Sequence, residues 1–139
     1  MTREEAQRLV QTFMISVGQP SEGLNPQGFG GAVLGEAQLY FEYHSDTQAL
    51  EASALIYKFR DAPKPGVLEG FRAEEKSGTN TGGGTVDYET ENKSLFLSRT
   101  YSTLPTDAAF REDMDRLMKA SLVWADEVMD RVASSVFKR

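Results

Sequence analysis

Residues 106–137 read TDAAFREDMDRLMKASLVWADEVMDRVASSVF, and the spacing within them decides the fold. With Phe110 at zero and about 100° per residue, Met114, Leu117, Met118, Ser121, Leu122, Trp124, Ala125, Val128, Met129, Val132 and Val136 share one sector. Glu112, Asp115, Arg116, Lys119, Asp126, Glu127 and Asp130 lie opposite, which is the pattern of one long amphipathic helix lying on a core. Thr106 after Pro105 reads as its N-cap, with Asp107 in the first turn, and Lys138 and Arg139 stand where the negative end of the helix dipole falls. So long an apolar stripe needs the rest of the chain to supply the other half of a core.

The chain has 139 residues, 40% of them hydrophobic and 26% charged, which is enough for one domain spanning 1–139 with one core. With 21 acidic against 15 basic residues the formal charge is −6, so neither a nucleic-acid backbone nor an anionic membrane is expected as a partner. No cysteine is present, which removes disulfides and thiolate metal sites. The first residues, Met1-Thr2-Arg3-Glu4-Glu5, lack a secretory signal, and no apolar run reaches about 18 residues. A cytoplasmic location is the expectation.

Working outward from the long helix, Thr2 and Glu5 have capping-box spacing, and Ala6, Leu9, Val10, Phe13, Met14 and Val17 recur at helical intervals after them. Ile15, off that stripe, reads as a peripheral core residue. From Gly18 to Gly31 the chemistry is that of a loop, with Leu24 and Phe29 expected to pin it to the core. Ala32 to Leu34 reads as a short strand. The period then becomes two, with Leu39, Phe41 and Tyr43 alternating with polar residues and Tyr40. After the turn at His44–Gln48, residues Ala49 to Phe59 read as a strand rather than the alternative helix, because a hairpin turn precedes them and aromatics close them. Val67, Leu68 and Phe71 mark a short helix ending near Gly78. Thr85–Glu89 and Ser94–Tyr101 form a second hairpin, with Val86 and Tyr88 pointing one way in the first strand and Leu95 and Leu97 sharing a face of the second. The order α-β-β-β-α-β-β-α predicts an α+β domain. Its antiparallel sheet of about five strands carries the N-terminal and long C-terminal helices on one face and a short middle helix.

No catalytic constellation emerges. The run Gly82-Gly83-Gly84 lacks the spacing and lysine of a phosphate loop and reads as a flexible turn, and Gly28-Phe29-Gly30-Gly31 precedes a strand rather than a helix. His44, the only histidine, has Asp46 nearby but no second histidine or cysteine to complete a zinc shell. A solvated turn residue is the expectation, and no metal or cofactor is expected. Glu74 with Glu75, and Asp87 with Glu89, read as solvated acids rather than a catalytic pair.

Apolar residues outside the core faces are more informative. Tyr40 and Phe96 project from the opposite side of their strands and mark a candidate protein-binding surface, with a sheet covered on both faces as the plain alternative. Val67, Leu68 and Phe71 form a narrow stripe with no long partner helix, which predicts a homodimer interface.

From Gly82 to Val132 the sequence runs TGGGTVDYETENKSLFLSR from Thr81 to Arg99, and then Phe110, Met114, Leu117 and Trp124 follow. This order of a Gly-rich turn, strand, turn, apolar strand and long helix with a late Trp resembles the bacterial type III secretion effector chaperones. The resemblance covers nearly the whole chain by pattern. It implies a non-enzymatic homodimer that binds an extended segment of a client protein. The rival reading is a small-ligand-binding or enzymatic α+β domain with a pocket between the long helix and the sheet, lined by Tyr43, Tyr57, Tyr101 and Trp124.

Overall fold

The first helix starts as its sequence dictates: the Glu5 N–H donates to Thr2 Oγ1 at 3.1 Å and the Thr2 N–H to Glu5 Oε1 at 2.8 Å, closing the capping box. The computed structural model describes residues 1–137, so Lys138 and Arg139 lie outside the described residues. In order come α1 (Arg3–Ser16), β1 (Phe29–Leu34), β2 (Ala37–His44), β3 (Ala49–Lys58), α2 (Val67–Lys76), β4 (Thr85–Glu89), β5 (Ser94–Tyr101), α3 (Asp107–Val123), a π-helical turn (Trp124–Val128) and α4 (Met129–Phe137). The α+β order expected from the sequence is the order found. The five strands form one antiparallel sheet, β1-β2-β3-β5-β4.

The alternation of β2, β3 and β5 buries Leu39, Phe41, Ala52, Ala54, Leu95 and Leu97 beneath α1 and α3. At the centre Phe110 meets Phe13 at 5.7 Å, Phe41 at 6.1 Å and Tyr101 at 5.4 Å between ring centroids. Burying one such side chain contributes roughly 1.5–3 kcal/mol, so this group joins both helices to the sheet. The Tyr101 hydroxyl donates to Asp113 at 2.8 Å, and Arg99 stands 3.4 Å from the same carboxylate. Burial, reinforced by that bond, pushes the Tyr101 phenol above its ordinary range.

The long helix is continuous but not uniform. Trp124, Val128 and Val132 are buried and lie four residues apart, a spacing that drifts by about 40° per step in an α-helix of 3.6 residues per turn. The wider π turn winds less per residue and takes back part of that drift, keeping the stripe on the core. Leu122, at the margin of the sector, is exposed.

Glycines make close approaches to the C-terminal helices that another residue would block. At Gly82, with φ +65°, an added Cβ would collide with the Arg116 carbonyl on α3, and at Gly70 it would come within 2.8 Å of Val132 Cγ1 on α4. The Gly82–Gly84 run, expected to be a flexible turn, is therefore packed against the long helix. Phe29, expected to pin the loop, instead opens β1 and is 49% exposed, whereas Leu24 is buried as expected. Ile15, expected at the core periphery, is 59% exposed.

An ion pair ties α2 to α4: Arg131 Nη2 donates to Glu74 Oε1 at 2.6 Å, and Thr79 Oγ1 donates to the same oxygen at 2.9 Å. The bond from Arg131 holds the Glu74 carboxyl below its ordinary range, despite partial desolvation. A depressed folded-state pKa means the contribution is present above the unfolded carboxylate range and is lost as pH falls through the folded value. Glu74→Gln should therefore lower stability at neutral pH by no more than about 1 kcal/mol, since Arg131 is solvent-screened. The difference should shrink as pH falls through that depressed value, because protonated Glu74 and Gln are both neutral. Urea titrations of both proteins at neutral pH and through the acid range check this.

Candidate protein-binding surface

The helices cover one face of the sheet and leave the other to solvent. Because strand neighbours are in register, the open face can be read in rows: Phe29, Glu42, Glu51 and Thr100; then Gly31, Tyr40, Ser53, Ser98 and Thr85; then Phe96 with Leu55 and Asp87. Tyr40 is 45% exposed and Phe96 half-buried, and their rings meet edge to face at 5.8 Å between centroids. Beside them Ser53 Oγ and Ser98 Oγ lie 2.8 Å apart. The two residues singled out from the sequence thus form one feature, and Leu55, Phe29 and Val33, which sequence reasoning did not assign to it, extend the apolar surface towards β1. The signal for Phe29 and Val33 was present in the alternation about Gly31, but the glycines hid the strand.

The β1 edge is partly occupied. The Tyr43 N–H donates to the Gly28 carbonyl at 2.8 Å, so by the antiparallel alternation the peptide groups of residues 29, 31 and 33 point away from β2. Asn25 takes both groups of Phe29: its Oδ1 accepts from the Phe29 N–H at 3.0 Å and its own N–H donates to the Phe29 carbonyl at 2.7 Å. Gln19 Nε2 donates to the Val33 carbonyl at 2.5 Å. Gly31 is left turning its N–H and C=O outward between them. At the opposite edge Glu75 Oε2 accepts from the Val86 N–H at 3.1 Å. These side chains protect the edges from indiscriminate pairing while leaving a short opening on β1.

The expected dimer stripe is placed differently. Val67 and Phe71 are buried in their own chain, Phe71 stacking on Trp124 at 6.1 Å between centroids, and Leu68 alone of the three keeps accessible surface. The stripe's partner is the π turn together with α4, which the sequence pattern alone does not bring to α2.

The four residues of the rival pocket are separated. The Trp124 indole N–H donates to the Asn80 carbonyl at 2.8 Å, Tyr101 is bonded to Asp113, and the Tyr43 hydroxyl donates to the Met1 carbonyl at 2.7 Å. Tyr57 does line an apolar cleft of about 350 Å³ between the end of β3 and α4, but with Phe59, Val67, Met129 and Val132.

His44 is held by strand pairing rather than by Asp46. Its Nε2 lies 3.1 Å from Glu51 and its Nδ1 3.7 Å from Glu42. The three residues bring possible ligand atoms within 4.8 Å of one another, yet the ring turns a different nitrogen to each carboxylate. The imidazole thus stands between the two carboxylates rather than converging with them on one point, as the ligands of a shared metal must.

The chain superposes on a chain of the ExsC–ExsE complex with a TM-score of 0.71 at 15% identity, over 90% of this chain and 95% of that one. It has the fold of the type III secretion chaperones. The HopA1–SchA chaperone–effector complex gives 0.62 at 14% identity, covering 92% of this chain and 95% of the other. The ExoT–SpcS complex from Pseudomonas aeruginosa gives 0.55 at 11%, covering 86% and 94%. The likeness is one of fold. No family model matches the sequence, and no curated protein matches it in sequence.

Proposed function

We propose that this chain is a non-enzymatic protein-binding module of the secretion-chaperone kind, which holds an extended segment of a client protein. The observation that carries the reading is the open sheet face with Tyr40 and Phe96 at its centre, beside a β1 edge open at Gly31. A disordered segment laid there would contribute apolar side chains to the face and backbone groups to the edge, gaining the two kinds of contact that offset its ordering cost. Chaperone–effector complexes among the solved structures of the same fold support a client-binding role. Among the described residues no helix is long and apolar enough to cross a membrane, and a cytoplasmic site of action fits the reading. Affinity purification from the native cell, with identification of the bound protein, tests it. A single client recovered in stoichiometric amount is expected, and recovery of the chain alone would count against it.

A homodimer belongs to the same reading, formed along the outward side of α2 with Leu68 at the contact. Leu68→Asp should then give monomers of unchanged helix content in sedimentation and circular dichroism. A wild type already monomeric at tens of micromolar would remove the dimer while leaving client binding to be tested separately. The second reading, a small apolar ligand, rests on the cleft beside Tyr57. A metabolite released from purified material by denaturation, with no client recovered, would favour it.

A further inference from the structure

The open face is not uniformly apolar. The groove that holds Tyr40, Leu55 and Phe96 is also lined by Glu42, Glu51, Asp87 and Glu89, against one cation, Lys58. Glu42 and Glu51 face each other across β2 and β3 at one end, while Asp87 is opposite Phe96 and Glu89 opposite Ser94 at the far edge. His44 stands against the first pair, already offering it an imidazole.

Resting on the reading of this face as the client surface, we propose that the segment it holds is basic: one or two large apolar residues flanked on both sides by Lys or Arg. The apolar residues would seat on Tyr40, Leu55 and Phe96, and the cations would meet the two carboxylate pairs. Charge also argues against a second copy of this chain as the occupant, because apposing two such faces would bring eight carboxylates together against two lysines, in a chain already at −6. From Glu51 to Asp87 is two strand spacings across and four residues along, or roughly 15–20 Å at about 4.8 Å per strand and 3.3 Å per residue. An extended segment covers that in about five or six residues, with every second side chain turned to the sheet.

The probe is a fluorescein-labelled peptide, Gly-Arg-Ser-Leu-Ser-Leu-Ser-Arg-Gly, which puts both arginines and both leucines on one side of a strand. Two companions carry Glu for Arg, or the same residues in an order that scatters the arginines and leucines over both sides. Binding is followed by anisotropy to the wild type, to Glu51→Gln/Asp87→Asn, and to Asp126→Asn/Asp130→Asn, a control that removes two exposed carboxylates from the long helix. The patterned Arg peptide should bind best and weaken with salt. The groove variant should reduce its affinity about tenfold and the helix control less than twofold.

Equal losses in the two variants, or equal binding of the scattered peptide, would mean attraction to overall charge and would overturn the proposal. Arg and Glu peptides bound alike would overturn the charge preference while leaving the face as a client surface. If no peptide binds and Tyr40→Ser abolishes self-association of the wild type, the occupant is a second copy. If no peptide binds but a native client is recovered and lost on Tyr40→Ser, the proposed function stands and the basic segment does not.

Discussion

Trp124→Ala is expected to destabilise the protein by roughly 3–5 kcal/mol, the range for an aromatic side chain removed from a packed core. The indole is fully buried, stacks on Phe71, and supplies the donor for the Asn80 carbonyl. Truncation would leave a cavity between α2 and the π turn, and it would also leave a carbonyl in the Thr79–Thr81 segment without its partner, at a further cost of about 1–3 kcal/mol if water cannot reach it. Three elements that meet at this ring would loosen together: α2, the loop before β4 and the C-terminal helix. Urea unfolding should show the full loss with an unchanged slope, and the melting temperature should fall by roughly 10 °C or more. A loss below about 1 kcal/mol would mean that the ring does not hold these elements together.

Tyr40→Ser with Phe96→Ser is expected to have the opposite profile, with little effect on folding and a large effect on binding. The two rings meet each other on the open face, so Tyr40→Ser continues the row of Ser53 and Ser98, and Phe96→Ser places a hydroxyl opposite Asp87. The lost pair contributes about 0.5–1.5 kcal/mol beyond burial. Aromatic residues at the centre of an interface commonly account for about 2 kcal/mol or more each, so affinity for the client should fall by at least about a hundredfold. Calorimetric titration with the purified client, alongside urea unfolding of the same variant, separates the two effects. Intact affinity in a folded variant would remove this face from the proposed function.

Much of the fold was legible because it is written in local periodicity. The capping box at Thr2 and Glu5, the apolar stripes of α1 and the long helix, and the alternation in β2 and β5 each follow from a few consecutive residues, and the structure places them accordingly. What the sequence hid depends on contacts between distant segments. Val67 and Phe71 have no partner in the local pattern because the π turn and α4 that bury them lie more than fifty residues away. Gly82 read as a flexible turn because nothing local reveals that α3 presses against it. Sequence proximity pairs His44 with Asp46, whereas the β2–β3 register brings it to Glu51. For the candidate site, Tyr40 and Phe96 were legible as side chains on the wrong side of their strands to serve the core. The acids around them were not, since Asp87 and Glu89 join Glu42 and Glu51 only once the sheet order is known.

Photo-crosslinking in the native cell addresses the central claim most directly. Benzoylphenylalanine would replace Tyr40, and for comparison Leu122, an exposed apolar residue on the long helix. The account predicts crosslinks from position 40, but not from position 122, to one contiguous stretch of a different protein. Crosslinks from position 40 to a second copy of this chain alone, or the same products from both positions, would contradict it.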